Sequence, residues 1–404
     1  MKRYLLIVTL LLAAAAGGQA QERRQLAPTP PMGWMTWNLF EESIDEQLIR
    51  ETADAMVEKG YRDAGYTYIF IDDGWQGGRD KRNNIVPDPE KFPSGIKALA
   101  DYVHERGLKL GIYSDAAQLT CAGYTASYGF EEQDARTFAT WGIDYLKYDY
   151  CGAPNNPEEA ARRYKAMADA LSASGRDIVL GICEWGRHRA EGWAAESGGS
   201  LFRTSWDVRD MWKDYTGQGG TGILDIIDIT ASLLPFARKG CWLDMDMLVV
   251  GLFGRGGPSS YYGGNGCTLE EYRTQMAMWC LMASPLAMTH DVREDDSVFR
   301  DILLNRELIA INQDALGKPV VRVDKNKNYQ IYLRELAGGN LALAILACGD
   351  DPVKMTLRMG RLGLKGRYAI RDLWRHEEIA SDATSLEVDI PAHATATYLL
   401  RHQR

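Results

Sequence analysis

The chain has 404 residues, of which 46% are hydrophobic, enough for a substantial core and long for one compact domain, so one large domain and a smaller one are expected. Its formal charge of −9 comes with no basic block or Arg/Lys stripe, which argues against nucleic acid as a partner. Seven cysteines form no CxxC pair, and the odd number leaves at least one unpaired.

The first element is a leader. Lys2 and Arg3 precede an apolar run from Tyr4 to Ala16 and the small-residue stretch GGQA, the three parts of a secretory signal with cleavage expected after Ala20. The run is too short to span a bilayer. Without it the formal charge becomes −11, because Lys2 and Arg3 leave and no acid does. The mature chain is then expected free of the membrane, in the periplasm or outside the cell, where some cysteines can oxidise. Its association into a homo-oligomer stays open.

From residue 21 a pattern recurs: an apolar stretch ending in polar or aromatic residues, a turn, then an amphipathic segment. The stretches end at Trp37, Asp72, Tyr113, Asp149, Glu184, Asp207, Asp244 and His290. Their spacings, mostly 35 to 46 residues with one of 23, suit consecutive strand and helix units, and eight such units close a (β/α)8 barrel over residues 21–317. Helices are expected over 44–60, which stops on Gly60, and over 157–175, which starts on proline and ends on glycine, as well as in FEEQDARTFATWG and LEEYRTQMAMWCLMASP. The strand runs are continuously apolar, as buried parallel strands are. From 318 to 404 short alternating runs, KNYQIYLREL, NLALAILACG, YAIRDLW, TSLEVDI and ATATYLLR, predict a small antiparallel β domain.

In such a barrel the C-terminal strand ends converge on one face. Here they carry Asp72, Asp73, Lys147, Asp149, Glu184, Arg203, Asp207, Asp244 and Asp246, with Trp34, Trp37, Tyr113 and Trp185 among them. Helix capping accounts for single aspartates. It does not call for a lysine and an arginine at the same depth, nor for an aromatic residue beside nearly every acid. In GIDYLKYDYCGA the alternation of a strand puts Lys147 and Asp149 on one face and Tyr148 on the other, so the ammonium is expected to hold the Asp149 carboxyl ionised. An ionised, desolvated carboxylate suits a nucleophile or an electrostatic stabiliser, and acid catalysis then needs a second, protonated carboxyl: Glu184, Asp207, Asp244 or Asp246. Sugar hydrolysis uses such a pair. Metal chemistry is the rival reading of clustered acids, but of six histidines only His188 and His290 lie near the expected mouth and no HExxH occurs. The stretch GLFGRGGPSSYYGGNG follows no nucleotide-binding fingerprint. Neither a metal nor a cofactor is expected.

The motifs PPMGWMTWN, YIFIDDGWQ, GIYSDA, CAGYTASYGFEEQDARTFATWGIDYLKYDYC, CEWG, FRTSWD, LDMDML and NRELIAINQDALG, in that order from about Pro30 to Gly317, resemble the retaining α-galactosidases of glycoside hydrolase family 27. The resemblance implies a (β/α)8 TIM barrel followed by a C-terminal antiparallel β-sandwich. It implies hydrolysis of terminal α-linked galactose from oligosaccharides or glycans, with Asp149 as nucleophile and Asp207 as general acid/base. Substrate contacts carry over to Trp37, Asp72, Asp73, Tyr113, Lys147, Arg203 and Asp246, and the family's disulfide falls on Cys121 and Cys151.

In the CEWG loop, members acting on N-acetylgalactosamine carry small residues, whereas Glu184, followed by Trp185, leaves less room and can bind a bare 2-hydroxyl. That favours galactose over the N-acetylgalactosaminidases and β-L-arabinopyranosidases of the same family. A barrel that binds carbohydrate without turnover is disfavoured by intact Asp149 and Asp207. The following RHRAEGW is more cationic than the family pattern and bears on the leaving group. Extra cysteines near the first strand of some animal members are absent.

Among residues with blander readings, Trp34 and Trp37 could both be core, but they cannot share one face of a strand, so Trp37 is favoured over Trp34 as the sugar platform. Cys183 and Cys241 read as small buried hydrophobes. Glu294 to Asp296 read as a solvated face, and Asp244 as either a substrate contact or a loop acid.

Overall fold

The computed structural model describes residues 25–214, 221–294 and 297–403; the leader, like Asp295 and Asp296, lies outside them. Eight parallel strands form one sheet: β1 (Met32–Met35), β2 (Tyr68–Phe70), β3 (Lys109–Asp115), β4 (Tyr145–Asp149), β5 (Val179–Ile182), β6 (Leu201–Arg203), β7 (Trp242–Asp244) and β8 (Leu286–Met288). Neighbours along the chain are neighbours in the sheet, and β8 pairs with β1. The ring closes where Leu248, just beyond β7, bridges Met288 of β8 in parallel.

The barrel interior is filled by matching large residues against absent ones. Phe70 packs edge-on against Tyr145 with ring centroids 4.7 Å apart. Glycines stand beside both rings: a Cβ on Gly111 would press into Phe70 and Tyr145, and one on Gly181 would overlap the Tyr145 hydroxyl. Layers of this kind make the barrel a packed core whose chemistry is confined to its rim.

The crossovers are α1 (Glu46–Glu58), α2 (Gly95–Glu105), α3 (Glu131–Trp141), α4 (Pro157–Ala173), α5 (Ile223–Leu233) and α6 (Leu269–Leu281). Local chemistry sets their ends. The Asp45 carboxylate accepts from the Leu48 amide, the Asn156 side chain accepts from the Glu159 amide with Pro157 in the first turn, and Thr268 and Glu271 cap each other reciprocally. The helices expected at 44–60 and 157–175 are present, the first two residues shorter at either end and the second starting on Pro157 and ending two residues early. The short spacing of 23 residues from Glu184 to Asp207 has its cause here, since only a 3-10 turn, Ala190–Gly192, connects β5 to β6.

Eight further strands form the C-terminal region: β9 (Val321–Lys325), β10 (Tyr329–Glu335), β11 (Leu341–Ala347), β12 (Val353–Arg358), β13 (Arg367–Asp372), β14 (Glu377–Ala383), β15 (Ser385–Ile390) and β16 (Thr395–Gln403). Six form an antiparallel sheet ordered β9-β10-β11-β16-β13-β14, and β12 pairs with β15 across its outer face. β11 is buried on both sides, so it does not alternate as expected: Leu343 and Ile345 face the sandwich core, while Ala342, Ala344 and Leu346 belong to the core shared with the barrel. Polar β14 carries no alternation because it is an exposed edge. Among the described residues no helix is long and apolar enough to cross a membrane.

The two regions are joined by a buried cation. Arg334 of β10, 1% exposed, donates to the carbonyls of Cys280 and Leu281 at the end of α6, of Ile311 and of Lys318. These are the orphan acceptors a helix terminus leaves, and a cation suits the negative end of the helix dipole. Burial pulls Arg334 down to about 10, so the fork is still charged at neutral pH. Arg334→Met keeps the bulk and removes every donor, and is expected to destabilise by about 3 kcal/mol or more, seen as a melting temperature several degrees lower in calorimetry. An unchanged melting temperature would mean that the carbonyls need no donor from the β domain.

Candidate active site

A cavity of about 360 Å³ opens at the C-terminal ends of the barrel strands. Its wall gathers Trp37, Asp72, Asp73, Tyr113, Lys147, Asp149, Trp185 and Asp207, which the sequence singled out from six different strand ends. Trp37 lies just past β1, where the chain turns into a short helix, Trp37–Phe40, and its ring meets the edge of Tyr262 at 6.2 Å. Trp34 is fully buried, its indole N–H donating to the His290 carbonyl at 2.7 Å.

Asp149 ends β4. Its Oδ2 accepts from the Tyr113 hydroxyl at 3.2 Å and its Oδ1 from the Tyr150 amide at 3.0 Å, so both oxygens are oriented. Lys147 does share its face, but the ammonium forms its ion pair elsewhere, with Asp72 Oδ2 at 2.8 Å. Residues two apart stand roughly 6.6 Å from each other along a strand, whereas the lysine ammonium stands over the Tyr113 ring, 5.1 Å from its centroid, and reaches the acid just past β2. Lys147 therefore acts on Asp149 from beyond hydrogen-bonding distance. The expected downward shift is overturned: burial pushes the Asp149 carboxyl up to about 7, with Lys147 the main opposing influence and Asp207 a further upward one.

Beside it, Asp73 accepts from the amides of Gly74 and Ala122, each at 2.9 Å, and burial raises it to about 6. Asp115 was not singled out by the sequence. It faces Asp149 across β3 and β4, accepts from the Cys151 amide at 2.8 Å, and is pushed up to about 9 by burial and then by the charge of Asp149. The disulfide Cys121–Cys151 is formed, with Cα atoms 5.1 Å apart, and ties the loop after β3 to the end of β4. Cys183, Cys241, Cys267 and Cys280 are buried free thiols and Cys348 a half-buried one. Among the described residues the one group with metal-ligand spacing is Asp115, Cys121, Asp149 and Cys151, and its two sulfurs are spent on the disulfide.

Asp207 sits four residues beyond Arg203 of β6. Arg203 Nη2 bridges Asp207 Oδ1 at 2.8 Å and Asp246 Oδ2 at 2.9 Å, while Tyr262 donates to the other oxygen of Asp207 at 3.4 Å. Arg203 and Asp246 are 2% and 5% exposed and lie behind Asp207 instead of on the cavity wall, so the cradle they were expected to complete is supported from beneath. Asp246 also accepts from the Val208 amide at 2.8 Å, and burial lifts it to about 6. Asp244, left open between substrate and loop roles, accepts from the Asp246 amide at 2.9 Å and likewise stays off the wall.

Glu184 departs furthest from expectation. It is fully buried and does not line the cavity; its Oε2 accepts from the His188 amide and lies 3.0 Å from His188 Nδ1. Burial raises it to about 8, against the amides of His188, Gly186 and Arg187. The carboxylate folds back into its own loop because the chain leaves the strand with Trp185 in the left-handed region, φ 56°, which turns the indole to the cavity in its place. His290 is fully buried, kept neutral by burial at about 3, and away from the wall. The sequence reading missed Asn155, Trp206 and Tyr262 on the wall, while Arg187 there belongs to the cationic RHRAEGW stretch it had tied to the leaving group. Tyr262 belongs to the glycine-rich stretch weighed only for nucleotide binding, and Trp206 stands inside RTSWD, where an aromatic next to the assigned acid was the available signal. Glu294 pairs with Arg255 at 2.9 Å on the surface.

A family described as alpha galactosidase A matches residues 29–314, and a second, described as the alpha galactosidase C-terminal beta sandwich domain, matches 326–400. The chain belongs to the α-galactosidase family of glycoside hydrolases. This glycosidase is 41% identical over 401 residues to alpha-galactosidase A of Cellvibrio japonicus, with 94% of each chain covered. To the α-galactosidase of Coffea arabica it is 42% identical over 382 residues, covering 94% of this chain and 95% of that one. Among solved structures, α-galactosidase I from Mortierella vinacea superposes with a TM-score of 0.86 at 35% identity, covering 94% and 98% of the two chains.

Because the folded chain raises Asp149 from 3.8 to about 7, the fold binds this proton more tightly than the unfolded chain. Its charge is no burden below about pH 4, becomes one as pH rises to 7, and remains so above. Asp149→Asn is therefore expected to melt on the order of 2 °C or more above the wild type at pH 8, with the gain vanishing at pH 4. A lower melting temperature for the variant at pH 8 would mean that the site stabilises the anion.

Proposed function

We propose that this glycosidase removes terminal α-linked galactose with retention of configuration, Asp149 attacking the anomeric carbon and Asp207 first protonating the leaving oxygen and then activating water. The observation that carries this reading is the placement of the two carboxylates on one cavity wall in opposite settings. Asp149 is 3% exposed with, among the described residues, no cation in hydrogen-bonding contact, whereas Asp207 is partly open to solvent and pinned by Arg203 and Tyr262. Desolvation makes the first a strong nucleophile once ionised. Esterifying it removes a negative charge beside Asp207, which eases that residue's change from acid to base.

In this reading Asp72, Asp73 and Lys147 hold galactose hydroxyls, Tyr113 aligns the nucleophile and Trp37 is the apolar platform. Arg203 and Asp246 position Asp207 from below, and Glu184 positions Trp185. The bulk of Trp185 on the wall supports galactose over N-acetylgalactosamine, although a human α-N-acetylgalactosaminidase is 38% identical to this chain. The α-galactosidase of Saccharomyces cerevisiae solved with raffinose, 29% identical with a TM-score of 0.85, supports α-galactosyl oligosaccharides as the substrate class. The barrel, 21–317, is taken as the catalytic unit and 318–404 as its support. Export by the leader at 1–20 fits the Cys121–Cys151 disulfide, a bond that persists in oxidising compartments.

Asp149→Ala is expected to lower kcat by about 10⁴-fold or more with the fold intact by circular dichroism. Asp207→Ala is expected to retain far more activity on nitrophenyl α-galactoside than on a galactosyl disaccharide, because only the latter needs protonation. Equal losses on both substrates would remove Asp207 from the acid role. Faster release from the N-acetylamino or β-L-arabinopyranosyl analogue than from nitrophenyl α-galactoside would reassign the substrate.

A further inference from the structure

The cationic stretch after CEWG has no part in the chemistry above, yet it reaches the same cavity. Trp185 stacks on Trp206 with centroids 5.2 Å apart and planes 16° from parallel, and both line the wall next to Asp207. Trp206 keeps 45% of its surface exposed, unusual for so large an apolar side chain inside a cleft. The Arg187 guanidinium stands 5.3 Å from its ring, exposed, and among the described residues no carboxylate is paired with it. By contrast Arg189 is engaged by Glu191 at 3.5 Å.

The arrangement is built, not incidental. Trp185 adopts φ 56°, a region that bulky residues avoid, and Gly186 follows at φ 70° with its Cα so close to the next loop that a Cβ would overlap the Thr204 carbonyl oxygen. The loop carrying Trp185 and Arg187 is thus locked against the one carrying Trp206 and Asp207. The buried Glu184 carboxylate holds the strained turn from behind through the His188 amide. Such rigidity gives a flat aromatic face and a fixed cation on the side of Asp207, where a leaving group departs.

We propose that Trp206 and Arg187 form a leaving-group site for an acidic saccharide, a uronic acid residue whose ring lies on the Trp206 indole while its carboxylate pairs with Arg187. A planar guanidinium matches a carboxylate through two parallel hydrogen bonds, and a sugar face stacks on an indole without specific polar partners. Asp72, Asp73, Asp149 and Asp207 make the inner cavity acidic, so the anion is taken only at the outer rim where Arg187 stands. This inference rests on the α-galactosidase reading above.

The test compares the full-length enzyme on 4-carboxyphenyl and 4-carbamoylphenyl α-galactosides, nearly isosteric leaving groups that differ in charge. The wild type is expected to favour the carboxylate in kcat/KM by about fivefold or more at low ionic strength, through KM, with the preference fading as salt screens it. In Arg187→Gln the ratio is expected to fall to about one, and Trp206→Ala is expected to raise KM for both. A wild-type ratio of one or below, or a ratio that Arg187→Gln leaves in place, would overturn the proposal and leave Arg187 as a packing partner of Trp206. Nitrophenyl α-galactoside run alongside separates the two readings. No galactose released from it would sink the parent activity, whereas release with a flat ratio would sink only the leaving-group site.

Discussion

The site depends on two cations, buried Arg203 and half-buried Lys147, shared among more acids than they can neutralise. Lys147 pairs with Asp72 and Arg203 bridges Asp207 and Asp246, leaving Asp149, among the described residues, with a tyrosine hydroxyl and an amide as direct partners of its carboxylate. Unpaired buried charge is among the least tolerated features of a protein interior. The fold supports it here because every surrounding atom is fixed. Glycines admit Phe70 and Tyr145 as a floor, β3 sets Tyr113 and Asp115 alongside β4, and the disulfide closes the rim. The resulting strain sits on the residue whose chemistry needs it, as is common where stability is traded for reactivity.

Depth separates the acids into roles. Asp72, Asp73, Asp149 and Asp207 face the cavity, while Asp244 and Asp246 lie one layer down and orient others. Glu184 shows the same division in a loop: a carboxylate turned inward holds the backbone that turns an indole outward. A site of this kind is rigid from below, and Trp206 and Arg187 stand on the wall apart from that support.

Much of this was legible in the residues. The cadence of apolar stretches marked eight strands, continuous apolar runs marked them as parallel and buried, and Pro157 with the closing glycines Gly60 and Gly175 marked helix ends. Alternation placed Lys147 and Asp149 on one face. It could not say which neighbour the lysine reaches, because that depends on the closure of the sheet and on the space beside Tyr113. The fate of Glu184 was hidden for a similar reason: past a strand end the alternation lapses, and a positive φ at Trp185 reverses which side chain faces the cavity. Arg203 and Asp246 were read at the right strand ends but not at the right depth. β9 and β12 were not among the expected runs, and β14 and the face of β11 against the barrel escaped because an exposed edge and a doubly buried strand both lack the period of two.

The central claim is that Asp149 becomes covalently bonded to the sugar. Incubating the enzyme with a fluorinated α-galactosyl fluoride, which slows release of the intermediate, and mapping the product by peptide mass spectrometry tests it most directly. The account predicts a fluorogalactosyl adduct on the peptide carrying Asp149, lost in Asp149→Asn. An adduct on another residue, or turnover of ordinary α-galactosides with inverted stereochemistry at the anomeric carbon, would contradict it.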